Sequence, residues 1–116
     1  MALEINEDLA RKYEEYENLK NVYLYSERIY LELQQKLAEI DSAINELSNL
    51  KEGKVYKMVE TILIEKNKDD LLKELNEEKE AIEIRLKSIK KQLDAYKERL
   101  SNLYNEIEKM INKQNK

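Results

Sequence analysis

The amino-acid sequence predicts a mainly α-helical chain: a long antiparallel two-helix coiled coil with a small β-hairpin at the bend. Apolar residues recur at alternating spacings of three and four in two long blocks, which is the pattern of a coiled-coil seam. The segment between the blocks is rich in β-branched residues, which favour strands. The 116 residues include one Gly and no Pro, and 40% are charged. That composition is typical of long helices.

The seam positions of both blocks are apolar with three exceptions. In the first block, the a and d positions of the heptad hold Leu9, Lys12, Tyr16, Leu19, Tyr23, Ser26, Tyr30, Leu33, Leu37, Ile40, Ile44 and Leu47. In the second block, they hold Leu72, Leu75, Lys79, Ile82, Leu86, Ile89, Leu93, Tyr96, Leu100, Leu103, Ile107 and Met110. The polar exceptions are Lys12, Ser26 and Lys79, which could set the register or loosen the coil. The alternative, which we favour for the two lysines, is that they lift their ammonium groups into water. The blocks are equal in length, so an antiparallel pairing should place Leu47 near Leu72.

Polar residues mark where each helix begins and ends. Asn6 and Asn67 precede acidic residues, and each can accept hydrogen bonds from the first free amides of a helix. Gly53 tolerates the left-handed conformation that follows many helices, so the first helix should stop just before it. We therefore expect one domain over residues 1–116, with helices at 6–52 and 68–113 and a β-hairpin at 54–66.

The β-branched segment between the helices reads as two short strands with a reversal near Glu60. A helical bridge is the alternative for the same residues. An isolated two-stranded hairpin is marginal in water, so its open edges and apolar side chains predict assembly with other subunits. The residues predicted to form this assembly surface are Val55, Tyr56, Met58, Val59, Ile62, Leu63 and Ile64.

Several function classes are disfavoured by composition. The chain has no Cys and no His, so thiolate catalysis, Cys/His zinc sites and the usual general base are absent. We expect no catalytic residues, no metal and no cofactor. The net charge of −4 argues against nucleic-acid binding. No apolar run approaches the length of a membrane span and no signal-peptide pattern opens the sequence, so no membrane partner is expected.

The order helix, short hairpin, helix resembles the β-type subunit of prefoldin, a co-chaperone of archaea and eukaryotes. The resemblance is sharpest in Val55–Val59 followed by Thr61–Ile64, and it continues through Lys68–Leu75 and Ile84–Leu86. It covers nearly the whole chain. The sequence departs from the family at Glu60, where a Gly is common. A non-Gly residue with positive φ is uncommon, so the type of turn is left open.

The resemblance implies a cytoplasmic hexamer of two α-type and four β-type subunits. Their hairpins would form a β-barrel body, and the coiled coils would project from it as tentacles. An α-type subunit would carry two hairpins and this chain has room for one, which implies the β type. The implied function is that of an ATP-independent holdase, which captures unfolded client proteins at the coiled-coil tips and passes them to a group II chaperonin.

Client binding requires apolar side chains that are exposed at the free end of the coil. Helix ends fray because their last turns are packed on one side only. The candidate client-binding residues at this end are Leu9, Tyr13, Tyr16, Leu100, Leu103, Tyr104, Ile107, Met110 and Ile111. The alternative is that these side chains simply form the seam of a structural spacer or scaffold that binds no client. Such a spacer would not need the strand-forming insert.

Overall fold

The computed structural model describes residues 6–114 and the side chains of residues 6–113. It contains, in order, helix α1 (Glu7–Asn49), strand β1 (Val55–Val59), strand β2 (Ile62–Lys66) and helix α2 (Lys68–Gln114). The predicted fold class, two long helices joined through a small antiparallel hairpin, is confirmed. The helical-bridge alternative for the middle segment is wrong, because β1 and β2 pair with each other there.

The predicted caps form at the start of both helices. The Leu9 amide donates to Asn6 Oδ1 at 2.8 Å. The amides of Asp69 and Asp70 donate to Asn67 Oδ1 at 2.8 and 3.3 Å. Each asparagine therefore satisfies amides that have no partner within the helix. Helix α1 begins at Glu7, one residue after its predicted start at Asn6, and Asn6 is the capping residue just outside it.

The first helix ends at Asn49, three residues before its predicted end at residue 52. The Leu50 amide donates to the Leu47 carbonyl at 3.2 Å, three residues back instead of four. This tighter bond closes the last turn. The Leu50 carbonyl then accepts a hydrogen bond from Lys68 Nζ at 2.5 Å. The predicted stop used Gly53, which has a φ of 110° but lies in the connection beyond the helix.

The predicted seam is confirmed by burial, since every a and d position is buried or half-buried. The two seam lysines end in ion pairs with the other helix. Lys12 Nζ lies 2.8 Å from Glu106 Oε2, and Lys79 Nζ lies 2.8 Å from Asp41 Oδ1. The expectation that these ammonium groups would simply reach water was incomplete, because each has a carboxylate within reach of its flexible stem.

The chain divides into two compact units. We call residues 31–87 the hairpin unit, and residues 6–30 together with residues 88–114 the terminal unit. In the hairpin unit, Leu47, Val55 and Leu71 form a buried cluster against which Leu72 and Leu75 pack. The predicted proximity of Leu47 and Leu72 is thereby confirmed.

In the terminal unit, the cross-helix ion pairs show that the helix segments run antiparallel. Lys12 pairs with Glu106, and Glu15, further along α1, pairs with Arg99, which lies earlier on α2. Both segments contribute to a buried seam. Its buried members are Leu9, Ile89, Leu93, Leu103 and Ile107.

The hairpin turns through the two residues Glu60 and Thr61, since Val59 pairs directly with Ile62. Glu60 has a φ of 56°, and it is the one non-Gly residue with positive φ within 6–114. Positive φ at the first of two loop residues is the φ pattern of a type II′ turn, in which Gly is preferred at that position. The turn therefore places a side chain where the backbone favours glycine.

Replacing Glu60 with Gly should stabilise the folded chain by about 0.5–1 kcal/mol, because it removes the left-handed strain of an L-residue. Thr61→Gly is the matched control. Thr61 does not have positive φ, so the same change there should destabilise. Urea unfolding of both variants measures the difference. Equal losses of stability in the two variants would contradict the proposed strain at Glu60.

Across the described part of the chain, neither helix has the apolar stretch needed to cross a membrane. Residues 6–113 also contain no group of three or more potential metal-ligating side chains.

Candidate functional site

The hairpin exposes apolar side chains on both of its faces. The register places Val59 beside Ile62 and on the same face as Ile64. Met58 pairs with Leu63 on the opposite face. Six of the seven predicted assembly residues are exposed, with exposed fractions of Tyr56 50%, Met58 66%, Val59 44%, Ile62 64%, Leu63 61% and Ile64 43%. A group of exposed apolar side chains on a two-stranded sheet is typical of an interaction surface.

Val55, the seventh predicted assembly residue, lies in the core of its own chain and is 8% exposed. It packs with Leu47 and Leu71. Beside it lies an open cavity of about 390 Å³, lined by Ala43, Glu46, Leu47, Leu50, Val55, Tyr56, Leu71 and Leu75. Sequence reasoning had assigned Leu50 to no surface. No signal in the sequence could have found it, because Leu50 lies off the seam positions and inside the helix predicted for residues 6–52.

One carboxylate on α2 holds both strands of the hairpin. Glu74 Oε1 lies 3.1 Å from Lys66 Nζ, and Glu74 Oε2 lies 3.2 Å from Lys57 Nζ. Lys57 belongs to β1 and Lys66 to β2. Hydrogen bonds from Lys66, and then from Lys57, hold the pKa of Glu74 below its ordinary value of 4.5. The three residues therefore form a charged clamp between the hairpin and the helix.

Glu74→Gln should destabilise the docked hairpin near neutral pH and lose that effect in acid. A lowered pKa in the folded state means that the carboxylate stabilises the fold above its ordinary pKa, and that this stabilisation disappears as the pH falls through the lowered value. The difference in the free energy of unfolding between wild type and variant should therefore shrink as the pH falls below 4.5. Urea unfolding across a pH series measures it.

Glu77→Gln is the matched control for this prediction. Glu77 lies on the same helix, and none of the ion pairs within residues 6–113 involves it. Glu106, whose pKa is also lowered, chiefly by its hydrogen bond from Lys12, titrates in all three proteins and cancels in the comparison. A pH-independent loss in Glu74→Gln would show that the clamp does not act through charge.

The terminal unit contains a cavity of about 270 Å³ between its two helix segments. Its lining residues are Tyr13, Tyr16, Tyr104, Ile107, Glu108 and Ile111. Tyr13 is 41% exposed and Tyr104 is 58% exposed, so aromatic surface is available to a partner. Tyrosine rings provide large contact areas at a low cost in conformational entropy.

The nine predicted client-binding residues occupy three kinds of environment. Tyr13 and Tyr104 are exposed. Tyr16, Leu100, Met110 and Ile111 are half-buried. The buried ones are Leu9 and Leu103, each 0% exposed, and Ile107, which is 6% exposed. The cavity brings together five of the nine: Tyr13, Tyr16, Tyr104, Ile107 and Ile111.

The burial of Leu9 and Leu103 differs from the frayed helix ends that the sequence predicted. Two cross-helix ion pairs close this region, with Arg99 Nη2 to Glu15 Oε1 at 2.5 Å and Lys12 Nζ to Glu106 Oε2 at 2.8 Å. The Asn6 cap also satisfies the Leu9 amide. Leu9 and Leu103 therefore pack in the seam of the described structure, and a role for them in client binding stays a prediction.

Two features of the terminal unit were missed by sequence reasoning. Glu108 lines the cavity, and its signal was its spacing four residues after Tyr104, which places both on one helix face. Val22, Leu24 and Tyr25 on α1 are 45%, 50% and 59% exposed. They lie off the seam positions, so the heptad pattern alone could not assign them.

Comparison with known proteins identifies the family. The sequence profile of the family described as "Prefoldin subunit" matches residues 7–114. The prefoldin subunit beta of Pyrobaculum calidifontis is 32% identical over 109 residues, which cover 92% of this chain and 84% of that protein. The prefoldin subunit beta of Caldivirga maquilingensis is 34% identical over 77 residues. That match covers 66% of this chain and 64% of the relative, a little under two thirds of its length.

Two crystal structures have the same fold. The prefoldin beta subunit from Thermococcus strain KS-1 superposes with a TM-score of 0.82 at 24% identity, covering 95% of this chain and 97% of that one. The beta2 subunit from the same strain gives a TM-score of 0.69 at 22% identity, over 82% of this chain and 98% of that one. The family match across both helices and the hairpin, together with relatives that are β subunits, shows that the chain belongs to the prefoldin family.

Proposed function

We propose that the chain is a subunit of an ATP-independent holdase that binds unfolded proteins. The observation that carries this proposal is the cavity of the terminal unit, where exposed Tyr13 and Tyr104 border an apolar lining. A soluble single-chain protein normally covers such a surface. Prefoldin is a chaperone family and not an enzyme family, which agrees with the absence of Cys and His from the sequence.

Each client contact at this cavity is weak. Burial of one apolar side chain contributes about 1.5–3 kcal/mol. Capture of a whole unfolded chain therefore depends on several subunits that bind it together, which raises the effective concentration of each remaining site. Release stays possible because no single contact is strong. The sequence contains one Gly, too few for a Gly-rich phosphate loop, which is consistent with the proposed ATP-independent function.

Assembly is the proposed role of the hairpin. The exposed residues of β1 and β2 would be covered by hairpins of further copies and of an α-type subunit, two α-type and four β-type chains in all, in a β-barrel body. Barrel closure removes the open strand edges that an isolated hairpin presents. The proposed site of action is the cytoplasm, where the captured client would pass to a group II chaperonin.

Two measurements test the proposal. The first is the native mass of the chain, measured alone and again after mixing with an α-type subunit. In the mixture the mass should rise to that of a hexamer. The assembled protein should then suppress the aggregation of a chemically denatured protein after dilution, without ATP. A structural spacer with the same helices would assemble and leave the aggregation unchanged, and that result would overturn the holdase function.

A further inference from the structure

The lining of the terminal-unit cavity contains one charged side chain, and its other side chains are aliphatic or aromatic. Three tyrosine rings and two isoleucines line it together with Glu108. Glu108 lies four residues after Tyr104 and three before Ile111, so these three side chains share one face of α2. None of the ion pairs within residues 6–113 uses Glu108. Its carboxylate is therefore available to a ligand.

Tyrosine faces beside a carboxylate are complementary to a cationic side chain. A guanidinium or ammonium group is attracted to an aromatic face within about 6 Å of the ring centroid. The chain already makes one such contact, with the Arg28 guanidinium 5.6 Å from the centroid of the Tyr25 ring. The methylene stem of an arginine would pack on Ile111, the half-buried isoleucine of the lining.

We propose that this cavity binds arginine or lysine side chains of unfolded proteins, so that the chain selects client segments in which a basic residue lies among apolar ones. Arginine suits the site better than lysine, because its planar group stacks on aromatic rings and is more weakly hydrated. The inference rests on the proposed holdase function and narrows its substrate class. Purely apolar segments would bind through the tyrosines and isoleucines alone, without the contribution of Glu108.

Two fluorescently labelled unstructured peptides test this selection. They share one sequence of Ser, Gly and Leu and differ only at a central position, which holds arginine in one and neutral citrulline in the other. Binding to the assembled protein is measured by fluorescence anisotropy at low and high salt. We expect the arginine peptide to bind about two- to fivefold more tightly, the effect of an exposed cation–π contact. The preference should weaken as salt screens the charges.

Two variants locate the preference in the cavity. Glu108→Gln should reduce it by removing the charge, and Tyr104→Leu should reduce it by replacing a ring with an aliphatic side chain. Each variant is judged by the ratio of its affinities for the two peptides, because Tyr104 also contacts apolar segments and its replacement should weaken the binding of both peptides. Glu98→Gln is the matched control, because Glu98 is a carboxylate of the same unit that does not line the cavity. It should keep the full preference.

Three outcomes would overturn the inference. Equal affinity for the two peptides would show that the cavity does not select cations. An arginine preference that survives in both Glu108→Gln and Tyr104→Leu, or that is lost in Glu98→Gln, would place the selection elsewhere on the protein. In each of these cases the holdase function would stand. If neither peptide bound and aggregation were not suppressed, the holdase function would fail together with the inference.

Discussion

Ile64→Asp is expected to abolish assembly while both helices stay folded. Ile64 is 43% exposed in the single chain, so an aspartate there would remain solvated and cost little before assembly. In the proposed barrel the same position would be covered, and burial of an unpaired carboxylate costs several kcal/mol. Ile62→Asp, on the same face and 64% exposed, should act in the same way. Native mass measures assembly, and far-ultraviolet circular dichroism measures helix content.

Aspartate substitutions at two other positions of the hairpin are controls for the added charge. Thr61→Asp adds the same charge at the turn, outside the two strands, and should leave assembly intact. Leu63→Asp adds it on the opposite face, beside Met58. If Leu63→Asp disrupts assembly and Ile64→Asp does not, the face that carries Leu63 is the interface. A fully assembled protein in all of the variants would show that the hairpin does not hold the subunits together.

The sequence determined the helices and their caps because those features depend on local spacing. A heptad repeat specifies which side of a helix is covered, whatever covers it. The burial of every predicted seam position follows from that rule. The strands were predictable for the same reason, since alternation and β-branching act over a few residues. The end of α1 was placed three residues too late, because the hydrogen bond of the Leu50 amide depends on the geometry of one turn.

Contacts between distant residues were out of reach of the sequence. Glu74 is one of many glutamates, and nothing local indicates that two lysines of the hairpin converge on it. The same holds for Arg99 and Glu15, whose pairing depends on how the helices align. The ion pair between Lys12 and Glu106 could not be predicted from the sequence for the same reason. The two pairs of the terminal unit, Lys12 with Glu106 and Glu15 with Arg99, join its helix segments beside the buried seam.

Leu103→Ala should destabilise the chain by about 2–5 kcal/mol, because it deletes a fully buried side chain and leaves a cavity. Leu103 is 0% exposed, and it lies in the seam of the terminal unit. A loss of this size is a large share of the stability of a small protein. Urea unfolding at a fixed subunit concentration measures it, since the stability of an assembled protein depends on concentration.

Tyr104→Ala, one residue further along α2, should leave stability nearly unchanged and reduce holdase activity. Tyr104 is 58% exposed, so its removal should change the free energy of unfolding by less than about 0.5 kcal/mol. It lines the cavity, so the variant should suppress aggregation less well than wild type. The two adjacent residues thus separate the packing of the seam from the binding of clients. If Tyr104→Ala kept full holdase activity, and Leu103→Ala lost activity without losing stability, the buried seam would be the client site and the exposed cavity would not.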